Sequence, residues 1–63
     1  MRVWTVYFKH REASDDSVYD WIRVNAESIE EAIEKAKKWA EENYPGLDLE
    51  ISGVELEGTI HVL

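Results

Sequence analysis

Residues 28–46 dictate one amphipathic helix, and that single element sets what the rest of the chain has to supply. Ser28 precedes Glu31 by three positions, the spacing of a capping box. There the Ser hydroxyl accepts from the Glu31 N–H and the Glu carboxylate returns to the Ser28 N–H. Ile29, Ala32, Ile33, Ala36, Ala40 and Tyr44 then recur at helical spacing and share one arc, with Trp39 and Asn43 at its border. Glu30, Glu31, Glu34, Lys35, Lys37, Lys38, Glu41 and Glu42 occupy the opposite arc, where Glu31–Lys35 and Glu34–Lys38 have the favourable i,i+4 order. Pro45 disfavours a helical residue before it and Gly46 tolerates positive φ, so the helix is predicted over 29–43. One helix with one apolar stripe cannot close a core on itself. It needs a sheet to lie on.

The flanking segments read as that sheet. In residues 2–9, Trp4, Val6 and Phe8 fall on one face and Val3, Thr5 and Tyr7 on the other. In residues 18–25, Val18, Asp20, Ile22 and Val24 share a face, while Tyr19, Trp21 and Arg23 point away. Both segments are rich in the β-branched and aromatic residues that suit a pleated surface. Lys9 to Ser17 is a charged link without Gly or Pro, predicted to be a long, mobile hairpin loop that carries His10. After the helix, Leu47, Leu49 and Ile51 alternate with Asp48, Glu50 and Ser52, and then Val54 and Leu56 come one residue late. A glycine at such a phase break, here Gly53, predicts a β-bulge. Glu57-Gly58 predicts a hairpin turn into a short last strand with Ile60 and Val62 inward.

The order β-β-α-β, with a short fourth strand from Thr59, defines a two-layer α+β domain over residues 1–63. A single helix covers one face of an antiparallel or mixed three- to four-stranded sheet. A right-handed crossover through the helix places the third strand beside the first and antiparallel to it, with the first in the middle. At 63 residues the chain hides only about 60% of its unfolded surface, so the core is thin. The N-terminus has no signal-peptide h-region, and no stretch approaches the length of a spanning helix. A cytoplasmic protein that avoids membranes is the expectation.

Such a domain leaves one sheet face uncovered. By alternation this face is predicted to carry Tyr7, Tyr19, Trp21 and Arg23, joined by Val3 and His61. Large aromatics and Arg are the types enriched at binding hot spots. The competing readings are cross-strand stabilisation among the rings and burial of this face in a homodimer. Aromatic open sheets also read single-stranded RNA, but there basic residues surround the rings and hold the backbone. Here Asp48, Glu50, Glu55 and Glu57 adjoin them, and fourteen acids against seven bases give a net charge of -7, which argues against direct nucleic-acid binding. Glu12, Asp15, Asp16 and Asp20 gather at the first loop. Such acids serve solubility, or steer the protein into a basic groove as a DNA mimic.

Catalysis lacks a constellation. There is no cysteine, no Gly-rich phosphate cradle and no nucleophile elbow. His10 with Asp15 and Asp16 lacks a metal-ligand register, and both His10 and His61 read as solvated loop residues. No enzyme, cofactor or metal is expected, and a small two-layer domain is expected to have no room for a pocket.

Val24-Asn25-Ala26-Glu27-Ser28-Ile29-Glu30-Glu31-Ala32-Ile33-Glu34-Lys35-Ala36 resembles the strand-to-helix junction of small prokaryotic, phage and plasmid proteins. HicB-like antitoxin domains and DpnD/PcfM-like domains share the strand, the Ser/Thr cap and the Glu-Glu-Ala start. The likeness covers about a fifth of the chain, implies a β-β-α-β domain and carries over no functional residue. Together with the acidity and the aromatic face, it points to a small protein-binding protein. The expected role is that of a phage or mobile-element inhibitor of a host nucleic-acid-handling complex, similar to anti-CRISPR or anti-restriction proteins. Tyr7, Tyr19, Trp21 and Arg23 would be its anchors, and Asp15, Asp16, Asp20, Asp48 and Glu50 its steering charges. The alternative is a non-catalytic structural or assembly module, or a homodimer.

Overall fold

A computed structural model describes residues 2–14, 17–56 and 59–61, the last three by their backbone alone. Strands β1 (Arg2–His10) and β2 (Asp20–Ala26) precede helix α1 (Ile29–Asn43), and β3 (Leu49–Leu56) and β4 (Thr59–His61) follow it. The sheet runs β2-β1-β3-β4 with every pairing antiparallel, so β1 is central and the fold is the α+β arrangement predicted. The Glu57-Gly58 turn and the place of Val62 lie outside the described residues.

Helix α1 keeps the predicted limits because its ends are chemically marked. Ser28 holds an extended conformation and its Oγ accepts from the Glu31 N–H at 3.2 Å, satisfying one of the orphan donors of the first turn. Glu31 Oε1 lies 3.2 Å from Lys35 Nζ, one turn further on. At the other end the Tyr44 N–H donates to Ala40 O, and the Leu47 N–H donates to Tyr44 O across Pro45 and Gly46. Gly46 has φ +89, which a side chain would strain: Pro then Gly at the centre is the pattern of a type II turn.

The core is the helix stripe against the inner sheet face. Trp4, Val6, Phe8, Ala26, Ala32, Ala36 and Val54 are buried, and Ile22, Val24, Ile29, Ile33 and Trp39 pack on them. Ala32 and Ala36 bring the helix backbone close to the sheet. Trp4 fills the space at the helix N-terminal end, its Nε1 donating to Ala26 O at 3.1 Å, so its one polar atom is satisfied.

Regular pairing does not last the length of β1. On the β3 side Tyr7 pairs with Gly53 but Phe8 pairs with Ile51, leaving Ser52 as the extra residue. That is the bulge expected at Gly53, and it returns Val54 and Leu56 to the inner face. A second irregularity was not expected. Asp20 is the register partner of Phe8, yet the Tyr19 N–H also donates to Phe8 O at 2.7 Å. Two residues addressing one is the count of a bulge, and it ends the alternation assumed for residues 18–25. The strand starts at Asp20, and Val18, placed inward by alternation, is half exposed.

Further differences concern the strand ends. His10 is the last residue of β1, not a loop residue, and Arg11 donates its N–H to Asp48 O at 3.0 Å. In β4 the register sets Ile60 opposite Glu55 and His61 opposite Val54, the reverse of the predicted phase.

Candidate protein-binding surface

Among the described residues, nothing forms a second layer on the side of the sheet away from α1. Register places Trp21, Tyr7 and Gly53 in one row across β2, β1 and β3, and Arg23, Thr5 and Glu55 in the next. Trp21 is 53% exposed, while Tyr7, on the central strand, is only partly so. Gly53 has no side chain, so Tyr7 is flanked by an aromatic on one side and by bare backbone on the other. A third row pairs Lys9 with Glu50, their charged groups 3.8 Å apart. Val3 stands opposite Asn25 at the end of this face. The face thus combines one exposed indole, a phenol, and charges of both signs.

Tyr19 belongs elsewhere, which corrects its placement on the open face. Asp20 keeps the inner face that alternation gives it, and the irregularity beside it brings Tyr19 to the helix side as well. The Tyr19 ring meets His10 edge-on at 4.5 Å and Tyr44 edge-on at 5.3 Å. Tyr44 in turn packs edge-on against Trp39 at 5.6 Å, and Trp39 stacks with Phe8. This chain of rings closes the sheet against the C-terminal end of α1. It is a structural cluster, and the alternation rule missed it because no glycine marks the β2 bulge.

Of the acids singled out as steering charges, Asp20, Asp48 and Glu50 can be placed. Asp20 Oδ1 accepts from the Trp21 N–H at 2.7 Å, and its Oδ2 accepts from the Tyr44 hydroxyl. That hydrogen bond, then burial, holds the Tyr44 phenol above its ordinary range. Asp48 and Glu50 are engaged with cations: Arg11 Nε donates to Asp48 Oδ1 at 2.8 Å, and a terminal Arg11 nitrogen lies 3.4 Å from Glu50 Oε2. The hydrogen bond to Asp48 raises the Arg11 pKa further. Asp15 and Asp16 lie outside the described residues. Among the described residues, the anchors and steering charges do not form one surface. Tyr7, Trp21 and Arg23 come together, Asp48 and Glu50 sit beside Arg11, and Tyr19 with Asp20 joins the helix end.

A groove opens where no pocket was expected. About 740 Å³ lies between the C-terminal half of α1, the Pro45–Leu47 turn and the start of β3, walled by Phe8, Ile33, Ala40, Leu49 and Ile51. Its cause is the width of the sheet: one helix of small residues lies toward β2 and β1 and leaves the inner face of β3 part-open. The clue in the sequence is Leu47-x-Leu49-x-Ile51, a run of large apolar residues facing alanines.

Among the described residues no group of three or more His, Asp and Glu side chains is placed to hold a metal, and no helix is long and apolar enough to cross a membrane. Compared with family models, with curated proteins and with solved structures, the chain finds no match.

Proposed function

We propose that this chain is a small acidic protein-binding protein whose partner sits on the open sheet face. The observation that carries this reading is Trp21, half exposed on a bare sheet, opposite Tyr7 and beside Arg23. An indole left in water forgoes burial energy, and Trp, Tyr and Arg are the residues that return most of it at an interface. The chain's net charge of -7 favours a basic partner and supports the inhibitor reading, in which the target is a nucleic-acid-handling complex. Pairing of Asp48 and Glu50 with Arg11 and Lys9 removes those two acids from any imitation of a phosphate array. The steering role then rests on the first-loop acids.

Affinity capture from a prokaryotic lysate, run in parallel with wild type and Trp21→Ala at low and high salt, tests this. A salt-sensitive partner that is lost at least tenfold with Trp21→Ala, and that DNA displaces, sustains the reading. A partner unaffected by the substitution moves the site off this face. The second reading, a homodimer through the same face, draws on its mixed charge: Arg23 and Glu55 share a row and can exchange between two copies. Light scattering decides it, since a dimer through this face disperses with Trp21→Asp.

A further inference from the structure

We propose a second binding site: the outer edge of β3 at Leu49–Ile51 takes an extended segment of a partner protein as an added strand. The segment has apolar side chains at alternate positions, which enter the groove under α1, and net basic character. The site is independent of the open face.

The backbone makes the first part of the case. The Arg11 N–H donates to Asp48 O, so that pair and, two residues on, Lys9–Glu50 are the hydrogen-bonded positions of the β1–β3 ladder. The N–H and C=O groups of Leu49 and Ile51 therefore point away from β1. Strand β4 pairs only with Val54–Leu56, and among the described residues nothing pairs with this outer edge. Unpaired edge groups of this kind are a template for another strand.

The opposite edge of the sheet is treated differently. On β2, the Trp21 N–H is taken by Asp20 Oδ1 at 2.7 Å and the Asn25 carbonyl by Lys35 Nζ at 2.6 Å. Side chains thus blunt one edge, whereas among the described residues none does so at Leu49 and Ile51. The side chains of Leu49 and Ile51 face the groove, so alternate residues of an added strand face it too. A volume of about 740 Å³ accepts two apolar side chains of that strand. A compact apolar ligand would fill the groove and leave the Leu49 and Ile51 edge wet; an extended segment satisfies both. The groove's own charges balance, Arg11 and Lys37 against Glu41 and Glu50, so the basic character follows from the long-range attraction of a chain of net charge -7.

The test pans a random dodecapeptide display library on the full chain, then titrates the most enriched synthetic peptide onto isotope-labelled protein. The expected motif is apolar at alternate positions with Lys or Arg nearby. Binding should shift the amides of Leu49 and Ile51 and slow their exchange at least tenfold. N-methylation of alternate peptide residues should abolish it, and Leu47→Asp should weaken it at least fivefold. Leu47 is 44% exposed at the groove rim, so this variant keeps the fold, which circular dichroism checks. Peptides that shift Tyr7, Trp21 and Arg23 instead, peptides indifferent to N-methylation, or no enrichment overturn the proposal. Protection of Leu49 and Ile51 that rises with protein concentration alone overturns it in favour of a second copy.

Discussion

The two ends of the sheet are built on different rules. At the end holding Trp4, Val24, Ala26 and Leu56, pairing is in register and every second residue points inward. At the end holding Phe8 and His10, both neighbours of β1 depart from regular pairing at the same level, β2 at Tyr19 and Asp20, β3 at Ser52. The regular end is closed by one indole and the helix N-terminus. The bulged end is closed by a relay of rings, His10, Tyr19, Tyr44, Trp39 and Phe8, and opens sideways into the groove. Each bulge re-aims a side chain and increases local twist, and the groove lies beside them while the other end is only packed.

Substitutions can separate the two ends. Trp4→Ala should have the largest effect, about 3–5 kcal/mol, because it empties the regular end and removes the side-chain bond to Ala26 O. For a domain this small, whose whole stability is of that order, urea titration should find little folded protein. Tyr19→Ala should cost about 1–3 kcal/mol if its two edge-on contacts hold the bulged end, and almost nothing if the ring faces open solvent. The same titration distinguishes these. Ser28→Ala should cost about 1 kcal/mol through the lost cap on Glu31 N–H, read as reduced helicity and melting temperature. Trp21→Ala should stay within about 0.5 kcal/mol, since its ring supports neither end.

The bulged end should also show an alkaline signature. Tyr44 titrates higher in the folded chain than unfolded, because its hydroxyl donates to Asp20. The folded state then holds that proton more tightly, so the contribution is complete below about pH 10 and is lost as pH rises through the folded value. Melting against pH should show this loss in wild type and not in Tyr44→Phe.

The same contrast governs what could be read from the sequence. Where pairing is regular, period-two patterning places Trp4, Val6, Ile22 and Val24, and the Ser28 cap with Pro45 and Gly46 bounds the helix. The β3 bulge was legible because a glycine coincides with a phase break in large apolar residues. The β2 bulge was not, since Val18-Tyr19-Asp20-Trp21 reads as uninterrupted alternation and two-against-one pairing is decided by β1, far along the chain. Tyr19 was misplaced for that reason alone, while Tyr7, Trp21 and Arg23 were placed together correctly. Long-range ion pairs such as Arg11–Asp48 leave no local signal at all.

The three tryptophans sit in three different solvents. Trp4 is 3% exposed at the regular end, Trp39 is partly covered among the rings, and Trp21 stands half in water. Their emission should therefore divide into a blue, quencher-resistant component, an intermediate one and a red, readily quenched one. The molecule carries its own optical address book: loss of the red component on mixing with a partner marks the open face. A change confined to the intermediate component marks the ring-lined end beside the groove, without any label being added.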